Sequence, residues 1–112
     1  MKNLKNIHLI NQDIKIDEIK FQPHPKFKGI YIKKLINDKI EMLLVKLEKN
    51  AIMETHIHED KIEIHQVISG EGLFKLETKE IKYEQGIFSV IPNKTPHSII
   101  ALSDLYILAF FS

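Results

Sequence analysis

The sequence predicts an all-β protein made of many short strands, folded as a sandwich or barrel. Three observations carry this. Isoleucine is the commonest residue, twenty of 112, and β-branched side chains fit the pleated, half-buried surface of a strand. Turn-forming pairs recur roughly every ten residues, the spacing of short strands in a sandwich or barrel. They include Asn11-Gln12, Pro23-His24-Pro25, Asn37-Asp38, Lys49-Asn50, Glu59-Asp60, Ser69-Gly70, Thr78-Lys79, Gln85-Gly86, Pro92-Asn93 and Ser103-Asp104. No heptad pattern or long amphipathic stripe supports a helix.

The opening segment, MKNLKNIHLI, has its apolar positions interrupted by Asn6 and His8. It is too short for a signal-peptide core, and no run approaches the roughly 20 apolar residues of a membrane span. The chain reads as a cytoplasmic domain. From Asp13 to Ile19 polar and apolar residues alternate and then loosen, so Asp13–Lys20 is a stretch where a short helix is possible. His24, held between two prolines, reads as an exposed residue of a rigid loop. The turn at Asn37-Asp38 joins KGIYIKKLI to KIEMLLVKL and is the clearest hairpin. The LLVKLE run fits a helix by pattern alone, but its place after a two-residue turn favours a strand. Pairing of 53–58 with 63–69 as a second hairpin would swing Glu63 towards the residues at 56 and 58. The apolar end, LYILAFF, predicts a core or dimer-interface strand. Phe88, Tyr106 and Phe110 are expected in the core, and some of Met42, Leu44, Phe74, Phe88 and Ile99 along an interior cavity.

Composition excludes several classes. One hundred and twelve residues make one domain, 1–112, and no linker, repeat or low-complexity stretch divides them. A hydrophobic content of 44% is too high for a disordered chain. With no cysteine, there is no disulfide framework, thiolate metal site or cysteine nucleophile. The formal charge of +1 lacks the basic excess of a nucleic-acid binder, and no nucleic-acid or membrane partner is expected. All sixteen basic residues are lysine, so no arginine fork is available for phosphate or carboxylate.

The histidines are the informative excess: six, of which four lie between positions 56 and 97. On a strand, His56 and His58 point to one face. Glu63 opens the next strand-like run, and His97 follows Pro96 at the start of another. Three imidazoles and one carboxylate, with no sulfur, suit Fe(II), Mn(II), Ni(II) or Zn(II). They also leave positions open for water, dioxygen or a chelating substrate on a metal that prefers six ligands. A single histidine at such a position would read as surface or hydrogen-bonded. Three at this spacing, with Glu63, read as a metal site. Glu54, Glu59 and Asp60 read as solvated turn residues. His65 shares the inward face with Glu63 by strand parity. It is the candidate catalytic residue, as a substrate-side acid/base, with a hydrogen bond to Glu63 or service as a substitute ligand as the other readings.

The segment HIHEDKIEIHQVISG resembles the first motif of the cupins, G-x5-H-x-H-x(3,4)-E-x6-G, with His56, His58, Glu63 and Gly70 on its fixed positions. GIFSVIPNKTPHSIIA resembles the second motif, G-x5-P-x-G-x2-H-x3-N, through Gly86, Pro92 and His97. The motif regions are 50–70 and 86–101. The departures are Asn50 and Lys94 at glycine positions, Ala101 at the closing asparagine and Ile87 where aspartate is frequent. Asn50 tolerates a left-handed turn. Lys94 either reshapes its turn or projects at the cavity mouth.

The resemblance implies a single cupin-type barrel (a double-stranded β-helix, or jelly roll) with His56, His58, Glu63 and His97 as ligands of a divalent transition metal. It also implies a homodimer paired through outer strands. It further implies a metal-dependent enzyme, while the mostly apolar inner-face candidates and the absence of arginine favour a small, fairly apolar, metal-chelating organic substrate. A dioxygenase ranks first, because histidines with one carboxylate suit non-haem iron. An isomerase or decarboxylase, or a non-enzymatic module that binds or senses a small molecule or metal, are the alternatives.

Overall fold

The computed structural model describes residues 4–8 and 13–112. Strands β1 (Asn6–His8) and β2 (Asp13–Lys15) form a small antiparallel pair, followed by a 3-10 turn at Ile16–Glu18. Then come β3 (Gln22–Pro23), β4 (Ile30–Asn37), β5 (Glu41–Leu47), β6 (Ile52–His56), β7 (Glu63–Ser69), β8 (Gly72–Lys75), β9 (Glu80–Tyr83), β10 (Phe88–Ile91), β11 (His97–Ala101) and β12 (Leu105–Phe111). The turn expected at Asn11-Gln12 lies outside the described residues. The short helix considered for 13–20 is reduced to the single 3-10 turn, because Ile16 is drawn fully into an apolar cluster.

A six-stranded sheet has the order β10-β7-β12-β5-β4-β3, and a four-stranded sheet the order β6-β11-β8-β9. Apolar side chains from both fill the space between them: Val45, Leu47, Val67, Ile107 and Ala109 from the larger sheet, Phe74, Tyr83, Ile99 and Ala101 from the smaller. The architecture is an all-β jelly roll. Its two sheets face one another as a sandwich and do not join into a closed hydrogen-bonded ring among the described residues.

The outer face of the six-stranded sheet is covered too. Leu35, Met42, Leu44, Ile68 and Leu108 pack there with Ile16 under the N-terminal segment. Lys33, buried beneath that segment, donates its ammonium to the Ile16 carbonyl at 3.0 Å and lies 4.6 Å from the Phe21 ring centre. This second layer explains two ambiguous runs. Strands β5 and β12 are buried on both faces, and such strands read as near-continuous apolar stretches with no alternation. Glu41–Leu47 is therefore a strand, paired with β4 across the expected hairpin. LYILAFF is a central strand between β5 and β7.

Some expectations fail. Strands β6 and β7 do not form a hairpin, since they belong to opposite sheets. Phe88 is not core: it is 59% exposed, on the edge strand β10. Met42 and Leu44 turn to the outer layer, away from any interior cavity.

Candidate metal centre

The site is assembled across the sandwich. Strands β6 and β11 are antiparallel neighbours, and His56 and His97 are register partners on them. His58 lies two residues beyond the end of β6. Glu63 opens β7 on the facing sheet, and the parity of β7 turns Glu63, His65 and Val67 inward, as expected for His65. One donor atom from each of His56, His58, Glu63 and His97 lies within 4.8 Å of the others.

Backbone carbonyls orient two of the rings. His56 donates Nδ1–H to the Glu54 carbonyl (2.9 Å), and His97 donates Nδ1–H to the Thr95 carbonyl (2.7 Å). That leaves each Nε2 with a free lone pair aimed into the cluster. Phe74 stacks on the His97 ring at 5.6 Å and 26° and holds it from the core side. The turn before His97 is tied down as well, because Lys94 donates its backbone N–H to the His58 carbonyl at 2.8 Å. Lys94 takes the left-handed conformation there, φ 60, where the second motif has glycine. Its side chain is exposed and does not line the cavity, so of its two expected roles the turn is the one observed.

Glu63 is 4% exposed. Its Oε2 accepts a hydrogen bond from His65 Nε2–H at 2.5 Å. Its Oε1 lies 3.3 Å from His58 Nε2 and 3.2 Å from His97 Nε2, without hydrogen-bonding alignment to either. Glu63 Oε1 and His97 Nε2 are thus buried with no hydrogen-bond partner among the described residues. Such an atom costs roughly 1–3 kcal/mol if nothing satisfies it. Two of them facing one another, beside two further imidazoles, fit a cation held between them. Burial alone would raise the Glu63 pKa, but the His65 and His97 rings outweigh it and hold the carboxyl well below the usual range. Burial lowers the pKa of His56 and His58. Burial also pulls His97 down, but Glu63 and the Thr95 carbonyl push its pKa above 6.5 on balance.

The cluster opens into a pocket of about 550 Å³. Val45, Leu47, Ile99, Ile107 and Ala109 line its buried part, and Phe27 and Phe111 flank His56 and His58 at 6.2 and 5.1 Å. Apart from buried His65, its other polar residues, among them Lys26, Glu41, Glu59, Asp60 and Lys61, are exposed or half-buried. Lys61 is bonded to Glu41 at 2.6 Å. Of the five residues expected along a cavity, Ile99 alone lines this pocket.

His24 corrects the sequence reading. It is half-buried and lines the pocket, and its Nδ1 accepts the backbone N–H groups of Lys26 and Phe27 at 3.0 and 3.2 Å. The two prolines signalled a rigid loop, but nothing in the local pattern showed that the loop folds towards the histidine and glutamate cluster.

The sequence matches the family described as Cupin domain (Cupin_2) over residues 43–111, a span that includes all four clustered side chains. The chain belongs to the Cupin_2 family. Solved structures agree on the fold. KdgF from a Halomonas species is 28% identical, with 86% of this chain and 89% of that one covered and a TM-score of 0.79. A predicted oxalate decarboxylase from Thermotoga maritima is 23% identical, covers 88% and 96%, and also scores 0.79. A sugar phosphate isomerase of the cupin superfamily from Silicibacter pomeroyi is 15% identical, covers 88% and 74%, and scores 0.79. Comparison with curated proteins gives no match. No helix among the described residues is long and apolar enough to cross a membrane.

Proposed function

We propose that this cupin holds a divalent transition metal through His56, His58, Glu63 and His97 and acts on a small organic molecule that chelates it. Oxidation of that molecule by dioxygen is the leading reaction. The observation that carries the proposal is the pairing of orphaned Glu63 Oε1 and His97 Nε2 at the buried end of an apolar pocket. Lewis acidity and, for iron, redox chemistry with dioxygen are what such a metal supplies when bound.

The protein's own part is mainly positional. The histidines present neutral Nε2 atoms, and Glu63 supplies one fixed negative charge. The aliphatic walls exclude water and receive the apolar body of a ligand. An isomerase or decarboxylase that moves protons needs a side chain with a free atom beside the substrate. His65 has both ring nitrogens occupied, and the other titratable lining residues outside the metal cluster are exposed or half-buried. This removes His65 as the carrier of a proton, while the preference for oxidation rests on a donor set that suits non-haem iron.

Metal analysis of protein purified without added metal tests the site. About one metal per chain is expected, with loss in a His56→Ala/His58→Ala variant. Less than about 0.1 per chain, unchanged in that variant, would end the metal reading. Oxygen uptake by the iron-loaded protein with small diketones and catechols tests the reaction. No uptake with any of them would favour a binding or sensing module.

A further inference from the structure

His65 is a buried imidazole outside the four clustered donors, and it links Glu63 to Tyr83 by hydrogen bonds. Glu63 and His65 are 4% and 3% exposed, side by side on the inward face of β7. His65 Nε2 meets Glu63 Oε2 at 2.5 Å, and His65 Nδ1 meets the Tyr83 hydroxyl at 2.9 Å. Tyr83 is fully buried and comes from β9 on the opposite sheet.

One assignment gives the hydrogen of each of these bonds an acceptor. Tyr83 donates to His65 Nδ1, and His65 donates Nε2–H to Glu63 Oε2. Packing locks the rings. Phe74 stacks on Tyr83 at 5.0 Å and 13°, meets His65 edge-on at 5.9 Å, and stacks on His97 on the metal side. With Oε2 taken, Glu63 presents Oε1 alone to the histidines.

We propose that His65 is a positioning residue: backed by Tyr83, it fixes which carboxylate oxygen of Glu63 faces His58 and His97. The role rests on the metal reading above, but the orientation itself exists without metal. It replaces the acid/base role considered for His65, since neither ring nitrogen is free to meet a substrate.

Two measurements test it. The first uses Co²⁺ as the probe, with affinity read by chelator competition and coordination by the visible absorption bands. His65→Phe, which keeps a ring but no donor, should weaken Co²⁺ binding about 10- to 100-fold, the usual effect of losing a residue that orients a ligand, and alter the bands. His65→Gln, which retains an N–H, should recover most of the affinity. Wild-type affinity and bands in His65→Phe would overturn the proposal while leaving the metal site standing. The second needs no metal and covers a His65→Phe chain that does not fold. Nitrogen-15 spectra of the metal-free wild type should place the His65 hydrogen on Nε2. Tyr83→Phe, one hydroxyl smaller, should leave it there, because Glu63 Oε2 still accepts it. A mixture of tautomers in the wild type would overturn the proposal whether or not Co²⁺ binds. Failure of the wild type to bind Co²⁺ would overturn the metal reading instead, with the tautomer result deciding His65.

Discussion

His56 and His97 stand opposite one another on β6 and β11, their rings 4.2 Å apart, and each donates Nδ1–H to the carbonyl two residues before it. The same local bond at two register partners aims both Nε2 atoms at one point. His58 closes on that point from 5.1 and 5.9 Å, and Glu63 arrives from the other sheet.

Metal should therefore stabilise the fold. A ligand that binds only the folded state at 100 times its dissociation constant adds about 2.7 kcal/mol. At roughly 4 °C per kcal/mol for a domain of this size, chelator should lower the melting temperature by about 10 °C. Thermal scans with and without chelator check this. His56→Ala/His58→Ala should melt at one temperature under both conditions.

The pH dependence has a definite sign. Metal binding needs ionised Glu63 and neutral Nε2 atoms. Glu63 is held far below the carboxylate range, so it stays charged through mildly acid solution. His56 and His58, shifted below 6.5, are ready at neutral pH, while His97, shifted above 6.5, gives up its proton last. Affinity should rise with pH until His97 is deprotonated, and metal uptake near neutrality should release protons. In the metal-free chain the same shift makes His97 stabilise the fold below pH 6.5, an effect lost as pH rises through its folded pKa. Glu63 contributes above its ordinary 4.5, an effect lost only as pH falls towards its folded value. Calorimetric titration with Co²⁺ in buffers of different ionisation enthalpy reads the released protons. An affinity that is flat between about pH 5 and 7 would contradict ligation by these histidines.

The four clustered side chains were legible in the sequence as a candidate site because spacing within a motif is a local property. His56-x-His58 and the interval to Glu63 survive whatever the strands pair with. The pairing was not legible. The turn at Glu59-Asp60 reads like a hairpin turn, yet the chain there crosses between sheets, and only long-range packing shows it. Phe88 failed for a related reason: an aromatic residue on a strand reads as core unless the strand is known to be an edge. The second apolar layer under β5 and β12 was present in the sequence as missing alternation, but a missing pattern does not say which segment covers it.

The closing glycine of the first motif has a steric reason that can be tested. A Cβ at Gly70, φ +89, would stand 2.0 Å from the Asp104 carbonyl oxygen, because the β7–β8 corner passes beneath the start of β12. At Gly86, φ +95, a Cβ would meet nothing within 4 Å. Gly86→Ala should thus cost only backbone strain, about 1–2 kcal/mol. Gly70→Ala adds displacement of buried backbone and should cost at least about 3 kcal/mol more, an overpacking penalty at the upper end. Urea unfolding of both variants gives the comparison, and equal losses would refute the steric account.

The homodimer expected from the sequence is proposed to form on the free edge of β10. Phe88 and Val90 point outward there, 59% and 62% exposed. The strand Phe88-Ser89-Val90-Ile91 carries no charge to block pairing, and among the described residues it has a strand neighbour only in β7. Unprotected apolar edges of this kind favour pairing with another chain, and antiparallel pairing of two identical strands closes about a two-fold axis. Light scattering should give twice the chain mass for the wild type. Val90→Lys, which sets a like charge in each copy at the edge, should give a monomer with unchanged Co²⁺ content, because Val90 faces away from the pocket. A wild type that is monomeric throughout the concentration range removes the dimer. A dimer untouched by Val90→Lys moves it to another surface.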